Sequence, residues 1–217
     1  KDIVSGDFYW YKVVNAAHIF ITADCTGHGV PGAFMSMIGH TLLKDLTEEH
    51  KAMNPAQILG DLNESIRSIL RQKEKSDEIQ DDGMDVTVCI YYPHEGKIQM
   101  SLANHRACLI KKGNPIQIEG EIFSVGGSFS GNSANPFNNQ EIMVEPGDTL
   151  YMYTDGFHDQ LGGDIYTKYG SSRFMEFLLK IHKESFIDQV DLLNDEYFLW
   201  KEKRKQTDDI LIWAIRF

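Results

Sequence analysis

Between Ala17 and Gly32 the chain reads AHIFITADCTGHGVPG. The first half is rich in β-branched and aromatic residues, which predicts a strand that ends at Asp24. The glycine-rich turn after it contains Pro31, a residue suited to the first turn of a helix because its missing N–H would be unpaired there. The stretch therefore predicts a strand, an acidic residue at the strand end, a tight turn and a helix, in that order.

The turn residues 27–32 also match the pattern GxGxxG, which is typical of dinucleotide-binding folds when it lies between a strand and a helix. That fold requires a second parallel strand after the helix, with an acidic residue at its end. Here the apolar spacing from Asn54 onward predicts another helix instead. A dinucleotide site is therefore disfavoured. We expect His28, between two glycines, to be a hydrogen-bonding support of the turn in preference to a metal ligand or general acid.

Outward from this stretch, β-type and helical patterns are segregated along the chain. Charged, aperiodic residues 73–82 and the Gly/Ser/Asn-rich residues 126–139 predict loops, and the turn at 145–148 predicts a hairpin. Helices are predicted from Pro31 to about Glu49, from Asn54, around 174–181 and over 186–203. Strands are predicted at 3–14, 17–24, 84–92, 97–103, 107–111, 115–119, 140–144, 149–154 and 210–217. This order predicts an α+β fold in one domain, residues 1–217.

Composition and charge exclude several classes of protein. The chain has 217 residues, with 21 Lys and Arg against 32 Asp and Glu, a net charge of −11. Nucleic acid is a poor partner for such a surface, since no basic block with interleaved aromatic residues offsets the charge. No apolar run approaches the roughly 18 residues that span a bilayer, so we expect no membrane contact by this domain.

The cysteines predict the redox environment of the protein, and the start of the chain predicts whether further domains precede it. Cys25, Cys89 and Cys108 are odd in number and lack CxxC spacing, which favours reduced, buried thiols of a cytoplasmic protein over a disulfide framework or zinc site. The chain opens with Lys1 and a strand-like pattern, without a signal peptide. We therefore expect a domain of a longer protein, with any sensor or membrane anchor outside this sequence.

Four aspartates have similar local settings, at or near strand ends and in three cases close to a glycine. These are Asp7, Asp24, Asp155 and Asp208, the last followed by Asp209. Singly, each is also explained as a turn or cap residue. Together, on one sheet edge, they would offer the oxygen ligands that hard divalent cations require. Two such ions, about 3.5–4 Å apart, can activate water for displacement at phosphorus. For Cys25 we expect the backbone carbonyl, not the sulfur, to face such a cation.

Six segments between residue 5 and residue 211 carry distinctive motifs. Four are SGDFY at 5–9, ADCTGHGVP at 23–31, GDTLYMYTDG at 147–156 and TDDIL at 207–211. The other two are Gly-Met-Asp at 83–85 and Leu-Ala-Asn-His-Arg-Ala at 102–107. Together, and in this order, they resemble the motifs of the SpoIIE/RsbU-type bacterial serine phosphatases, a branch of the metal-dependent PP2C (PPM) superfamily. Residues 102–107 resemble the family's mid-domain AGHxP element, and 83–85 resemble the start of the strand before it.

The resemblance implies an α-β-β-α sandwich, with two mainly antiparallel sheets flanked by helix pairs, and two Mn²⁺ or Mg²⁺ ions at one edge. Asp24 would bridge both metals and the Cys25 carbonyl would complete one of them. Asp7 would contribute at that same metal, directly or through water, while Asp155 and Asp208 would hold the other. A metal-activated water would then hydrolyse phosphoserine or phosphothreonine. Asp209 would be a neighbour of this shell.

The resemblance also implies partners. The substrate would be a phosphorylated STAS-type anti-sigma-factor antagonist in a partner-switching pathway, and a sensor or receiver domain would lie upstream in the same chain. The two helices over about 31–73 resemble a regulatory element that supports homodimers. Trp10 stands where the family commonly has an acid. Two alternatives remain: a catalytically silent docking or sensor-output module of the same fold, and a metal-dependent hydrolase of small phosphoesters.

Overall fold

The computed structural model describes residues 4–27, 29–49, 54–70, 83–127 and 135–217. The helices in these ranges are α1 (Val30–Glu49), α2 (Pro55–Ile69), α3 (Ser171–Ile181) and α4 (Phe186–Lys201). The strands are β1 (Phe8–Val14), β2 (Ala17–Cys25), β3 (Met84–Tyr92), β4 (Lys97–Ala103), β5 (Arg106–Lys111), β6 (Asn114–Glu119), β7 (Gln140–Met143), β8 (Thr149–Tyr153), β9 (Leu161–Gly162), β10 (Thr167–Lys168) and β11 (Ile212–Arg216).

Two antiparallel sheets form the centre of the fold. The larger has the strand order β1-β2-β3-β4-β7, and the smaller β11-β8-β5-β6. Strands β9 and β10 make a separate two-stranded ribbon. The ribbon was not predicted, because two residues a strand are too few to show an alternating pattern. The two main sheets confirm the predicted α+β class.

Three layers of apolar side chains hold the sheets and helices together. One cluster joins the five-stranded sheet to α1 and α2, with Leu43 and Leu62 packed against Ile21. A second fills the space between the two sheets, and a third packs Phe174 and Leu178 of α3 and α4's Tyr197 against the four-stranded sheet. The result is the expected α-β-β-α sandwich, whose central strands β2, β3 and β8 are largely buried.

Helix boundaries follow from local capping. The Asn54 side chain accepts hydrogen bonds from the backbone N–H groups of Ala56 and Gln57, at 2.9 and 3.3 Å. It therefore satisfies N–H groups that have no partner within α2. The predicted start of this helix is confirmed. Among the described residues, no helix is long and apolar enough to cross a membrane.

The hairpin predicted around residues 145–148 is wrong. Strand β7 pairs with β4, whereas β8 lies between β11 and β5 in the other sheet. Every residue of β8 is buried, so this strand needs a neighbour on each side, while alternate residues of β7 are exposed as on an edge strand. The turn is a crossing between sheets, in which the Asp148 carboxylate accepts from the N–H groups of Lys112 and Glu145.

Some predictions concern residues that the structure does not describe. These are the loop at 73–82, His28 and much of the loop at 126–139. Trp10 is buried in the cluster between the five-stranded sheet and the helices α1 and α2. Its side chain is therefore part of the hydrophobic core and is not a substitute for an acid near the carboxylates.

Candidate active site

The turn after β2 is held by close backbone packing. A Cβ on Gly32 would lie 2.5 Å from the carbonyl oxygen of Gly27, and one on Gly6 would lie 2.9 Å from the same oxygen. Gly27 itself has φ +87°, which disfavours a side chain. Thr26 ties the turn to the start of β3, since its N–H donates to the Gly83 carbonyl at 2.9 Å. The turn is thus positioned by contacts that only glycine permits.

Strand ends from both sheets bring acidic residues to this turn. Asp24 lies near the end of β2, Asp155 follows β8, and Asp208 precedes β11. They line one cavity of about 280 Å³, together with Asp85. The remaining lining residues are Cys25, Thr26, Gly27 and Ser124. The structure therefore brings together three of the four predicted aspartates around a single cavity.

Asp7 lies beside this cavity and is fixed by the opposite sheet. The Thr154 hydroxyl donates to the Asp7 carboxylate at 2.7 Å. Asp7 also lies close enough to Asp24 for its charge to raise the pKa of Asp24. The adjacent Gly6 N–H donates to the buried Asp209 carboxylate at 3.0 Å. The Asp209 carboxylate thus helps to hold the segment that carries Asp7.

Burial and mutual repulsion disfavour the ionised forms of these carboxyl groups. Desolvation, with the charges of Asp7 and Asp155, raises the pKa of Asp24 to about 9. Desolvation also raises the pKa of Asp7 to about 6, against the opposing hydrogen bond from Thr154. The pKa of Asp155 is raised by desolvation and by the charge of Asp159. A positive charge in the cavity would favour the ionised forms.

The donor atoms fit a hard divalent cation in type. Carboxylate-bearing residues surround the cavity, and Cys25 and Gly27, each with a backbone carbonyl oxygen, are also among its lining residues. As placed, no three described His, Cys, Asp or Glu side chains are gathered tightly enough to hold one ion. The carboxylates therefore surround the cavity instead of meeting at one point, as expected for groups that repel one another.

The Cys25 thiol is not a candidate nucleophile. It is buried in the core cluster beneath α1, and desolvation raises its pKa. The thiolate, which is the reactive form, is therefore disfavoured. The burial of the thiol supports setting the sulfur aside, and a Cys25 carbonyl that faces a cation stays a prediction.

Asp85 was missed as a site residue in the sequence. It stands opposite Asp24 on the neighbouring strand, and desolvation raises its pKa to about 6. Asn104 donates to its carboxylate at 2.8 Å, and the Ser124 hydroxyl donates to its other oxygen. The sequence did contain a signal for Asp85. In Gly83-Met84-Asp85 an acid follows a glycine at the start of a predicted strand, and this segment resembles a family motif.

The sequence profile of Stage II sporulation protein E (SpoIIE) matches residues 15–217. The chain belongs to the SpoIIE family. Asp7 lies just before the matched residues, whereas Asp24, Asp85, Asp155 and Asp208 lie within them. No curated protein matches the chain.

Solved structures share the fold of this SpoIIE-family chain. The SiaA-PP2C domain of Pseudomonas aeruginosa is 28% identical, with a TM-score of 0.87 over 100% of this chain and 82% of that one. The PP2C phosphatase domain of SpoIIE from Bacillus subtilis, with a fragment of its regulatory domain, is 15% identical, with a TM-score of 0.73 over 100% and 59%. RsbX in complex with magnesium is 14% identical, with a TM-score of 0.58 over 97% and 86%. The chain therefore has the PP2C-type serine phosphatase fold.

Proposed function

We propose that this chain is a metal-dependent protein serine/threonine phosphatase that hydrolyses phosphoserine and phosphothreonine with a metal-activated water. One observation carries the proposal: four aspartates from both sheets surround one cavity in a PP2C-type fold. Burial and repulsion disfavour the ionised form of Asp24, and a bound cation would reverse this. RsbX, which has the same fold, is described in complex with magnesium.

The proposed ligands divide between two cations, Mg²⁺ or Mn²⁺. Asp24 would bridge them, with the Cys25 carbonyl and Asp7 on one side and Asp155 and Asp208 on the other. When bound, such ions supply a water of lowered pKa and stabilise charge on phosphoryl oxygens. Asp85 faces the same cavity and adds a further carboxylate.

Residues around the carboxylates would hold them in place for this chemistry. The hydroxyl of Thr154 orients Asp7, and the amide of Asn104 and hydroxyl of Ser124 orient Asp85. Hydrogen bonds to carboxylates favour their charged form, which is the form that binds cations. The chain itself therefore provides positioned oxygen donors at the junction of the two sheets.

We further propose that residues 1–217 form one phosphatase domain behind a regulatory or receiver domain, acting on a phosphorylated STAS-domain protein. The solved SpoIIE phosphatase structure includes a fragment of a regulatory domain, which supports such a linkage. Helix α1 exposes Val30, Phe34 and Met37, an apolar stripe suited to a partner or to a second copy. A catalytically silent docking module would keep these surfaces without turnover.

The test is hydrolysis of a phosphoserine peptide and of p-nitrophenyl phosphate, with Mn²⁺, with Mg²⁺ and with a chelator. Asp24→Ala and Asp155→Ala are compared with Asp191→Ala, a control on the exposed surface of α4. We expect metal-dependent turnover by the wild type and the control, with at least a hundredfold loss in both site variants.

Three outcomes separate the alternatives. Turnover that survives both site substitutions would overturn the assignment of the carboxylates. Turnover of nucleotides in preference to the phosphopeptide would favour the small-phosphoester hydrolase. No turnover, with no calorimetric binding of Mn²⁺, would favour the docking module.

A further inference from the structure

A second cavity, of about 310 Å³, adjoins the carboxylates. It shares Asp24, Asp85 and Asp155 with the first cavity. Its other walls come from the start of β5, the end of β6 with the residues after it, and the end of β8 with the turn that follows. A group bound there would therefore lie directly beside the proposed metal ligands.

Arg106 is the one Arg or Lys among the described residues that line either cavity. It pairs with Tyr153 in the sheet register, so it stands at the strand end from which Asp155 follows. Its side chain is 53% exposed, and its Nε lies 3.9 Å from the Glu119 carboxylate, too far for a hydrogen bond. The guanidinium is thus able to bind a ligand without breaking a strong ion pair.

Two residues that line the same cavity carry buried polar atoms without partners. His105 is 7% exposed and Tyr153 is 2% exposed. Within the described part of the chain, neither the His105 Nε2 nor the Tyr153 hydroxyl has a hydrogen-bond partner. Leaving such groups unpaired costs free energy, so a partner from outside the chain would stabilise them. His105 and Tyr153 therefore add two unsatisfied polar atoms to the wall that carries Arg106.

The His105 ring is held in a fixed orientation. Its Nδ1 lies 3.0 Å from the Thr87 hydroxyl. Burial lowers the pKa of His105 to about 4, so the ring is neutral near pH 7 and carries one N–H. When Thr87 donates to Nδ1, that proton is on Nε2, which is then a donor without a partner among the described residues.

The other carboxylates of the cavity already have polar partners. Lys168 binds Asp159 at 2.5 Å, the Asn138 amide donates to Glu121 at 2.6 Å, and the Gln117 amide donates to Glu119 at 2.6 Å. Competition for the guanidinium of Arg106 is therefore weak.

We propose that this second cavity is the phosphate-binding subsite, in which Arg106 donates to the phosphoryl oxygens and Tyr153 and His105 complete the hydrogen bonds. The proposal rests on the proposed phosphatase function and names the residues that hold the substrate's phosphate. Arginine matches phosphate with paired N–H donors, and a phosphate dianion that approaches several carboxylates needs a fixed positive charge.

The first test measures binding of inorganic phosphate by calorimetry in saturating Mg²⁺. Arg106→Ala and Arg106→Lys are compared with Arg67→Ala, whose side chain is on α2 and lines neither cavity. We expect Arg106→Ala to weaken phosphate binding about 10- to 100-fold, and Arg106→Lys to restore part of it. Equal affinity of Arg106→Ala and wild type would overturn the proposal.

A second test uses two buried tyrosines of β8. The Tyr153 hydroxyl is unpartnered among the described residues, whereas the Tyr151 hydroxyl donates to Gln189 at 2.8 Å. We expect Tyr153→Phe to keep its Tm and lose phosphate affinity, and Tyr151→Phe to lose Tm and keep phosphate affinity. Phosphate affinity unchanged by Tyr153→Phe would remove this hydroxyl from the subsite.

Hydrolysis of the phosphoserine peptide separates this proposal from the proposed function. Turnover by the wild type with no effect of Arg106→Ala on KM or on phosphate binding would refute the subsite and leave the phosphatase standing. Arg106-dependent phosphate binding without turnover would refute the phosphatase and leave the subsite standing.

Discussion

Asp24 of β2 and Asp85 of β3 face each other as directly paired residues of neighbouring antiparallel strands. Like charges in that position destabilise a sheet. Desolvation raises the pKa of Asp24 to about 9 and that of Asp85 to about 6. The free energy of this pairing therefore depends on what charge occupies the cavity between them.

Replacing Asp85 by Asn is expected to raise the Tm in a chelator, by the equivalent of about 1 kcal/mol, because a buried carboxylate whose charged form is disfavoured becomes a neutral amide. It is also expected to reduce the gain in Tm that Mg²⁺ produces, since one oxygen donor loses its charge. Thermal melts with and without Mg²⁺ measure both effects. Asp191→Asn, on exposed α4, is the control and should change neither. A rise in Tm with Mg²⁺ equal to that of the wild type would show that Asp85 does not contribute to cation binding.

Two buried threonines of the same strand segment offer a matched comparison. The Thr154 hydroxyl donates to Asp7 at 2.7 Å and accepts from the Leu211 N–H at 2.9 Å, whereas the Thr149 hydroxyl has no partner among the described residues. We expect Thr154→Val to lower the free energy of unfolding by about 1–3 kcal/mol and to reduce turnover. Thr149→Val should be neutral or stabilising. Urea denaturation measures the free energy of unfolding of both variants. An equal loss in the two variants would contradict the role given to the Thr154 hydroxyl.

Protonation of the buried His105 imidazole is expected to lower the free energy of unfolding in acid. Burial lowers its pKa from 6.5 to about 4. Between these values the unfolded chain binds a proton that the folded chain does not, so stability falls as the pH drops from about 6.5 to about 4. The full effect is on the order of 3 kcal/mol. His105→Asn lacks this contribution, so its unfolding free energy, measured in a chelator, should fall less steeply. If the unfolding free energies of the wild type and His105→Asn fall in parallel with pH, the His105 imidazole is not held neutral by burial.

Gly156 is expected to tolerate no side chain. A Cβ there would lie 1.8 Å from the carbonyl oxygen of Asp209. Gly156→Ala should therefore cost about 1–3 kcal/mol or more and lower turnover, because Asp208 and Asp209 must move. Gly127→Ala is the control, since its Cβ would meet its nearest atom at 3.4 Å. Tm and turnover are the readouts, and equal effects of both substitutions would refute the steric explanation.

The local elements were predictable because their signals are local. The β-branched and aromatic residues of β1 and β2 and the four-residue spacing in α2 are read over short stretches of chain. The Asn54 cap depends on neighbouring residues only. The four aspartates were found for the same reason, since each lies at or near the end of a predicted strand.

Strand partners and the full set of site residues required the tertiary structure. The 145–148 turn resembles a hairpin turn, but β8 is buried on both faces and is completed by β5 and β11, which are distant in sequence. Asp85 became a site residue only through its register with Asp24. Arg106 was part of a matched motif, but its place beside the carboxylates follows from its pairing with β8.

The sequence by itself therefore determined the element types, the fold class and the acidic residues at the strand ends, because periodicity, capping and turn chemistry act over a few residues. Only the tertiary structure decided which strands are neighbours, which carboxylates share a cavity, and which buried polar atoms lack a partner. These depend on long-range pairing and packing, which bring together residues from β2, β3, β5 and β8 that no local pattern connects.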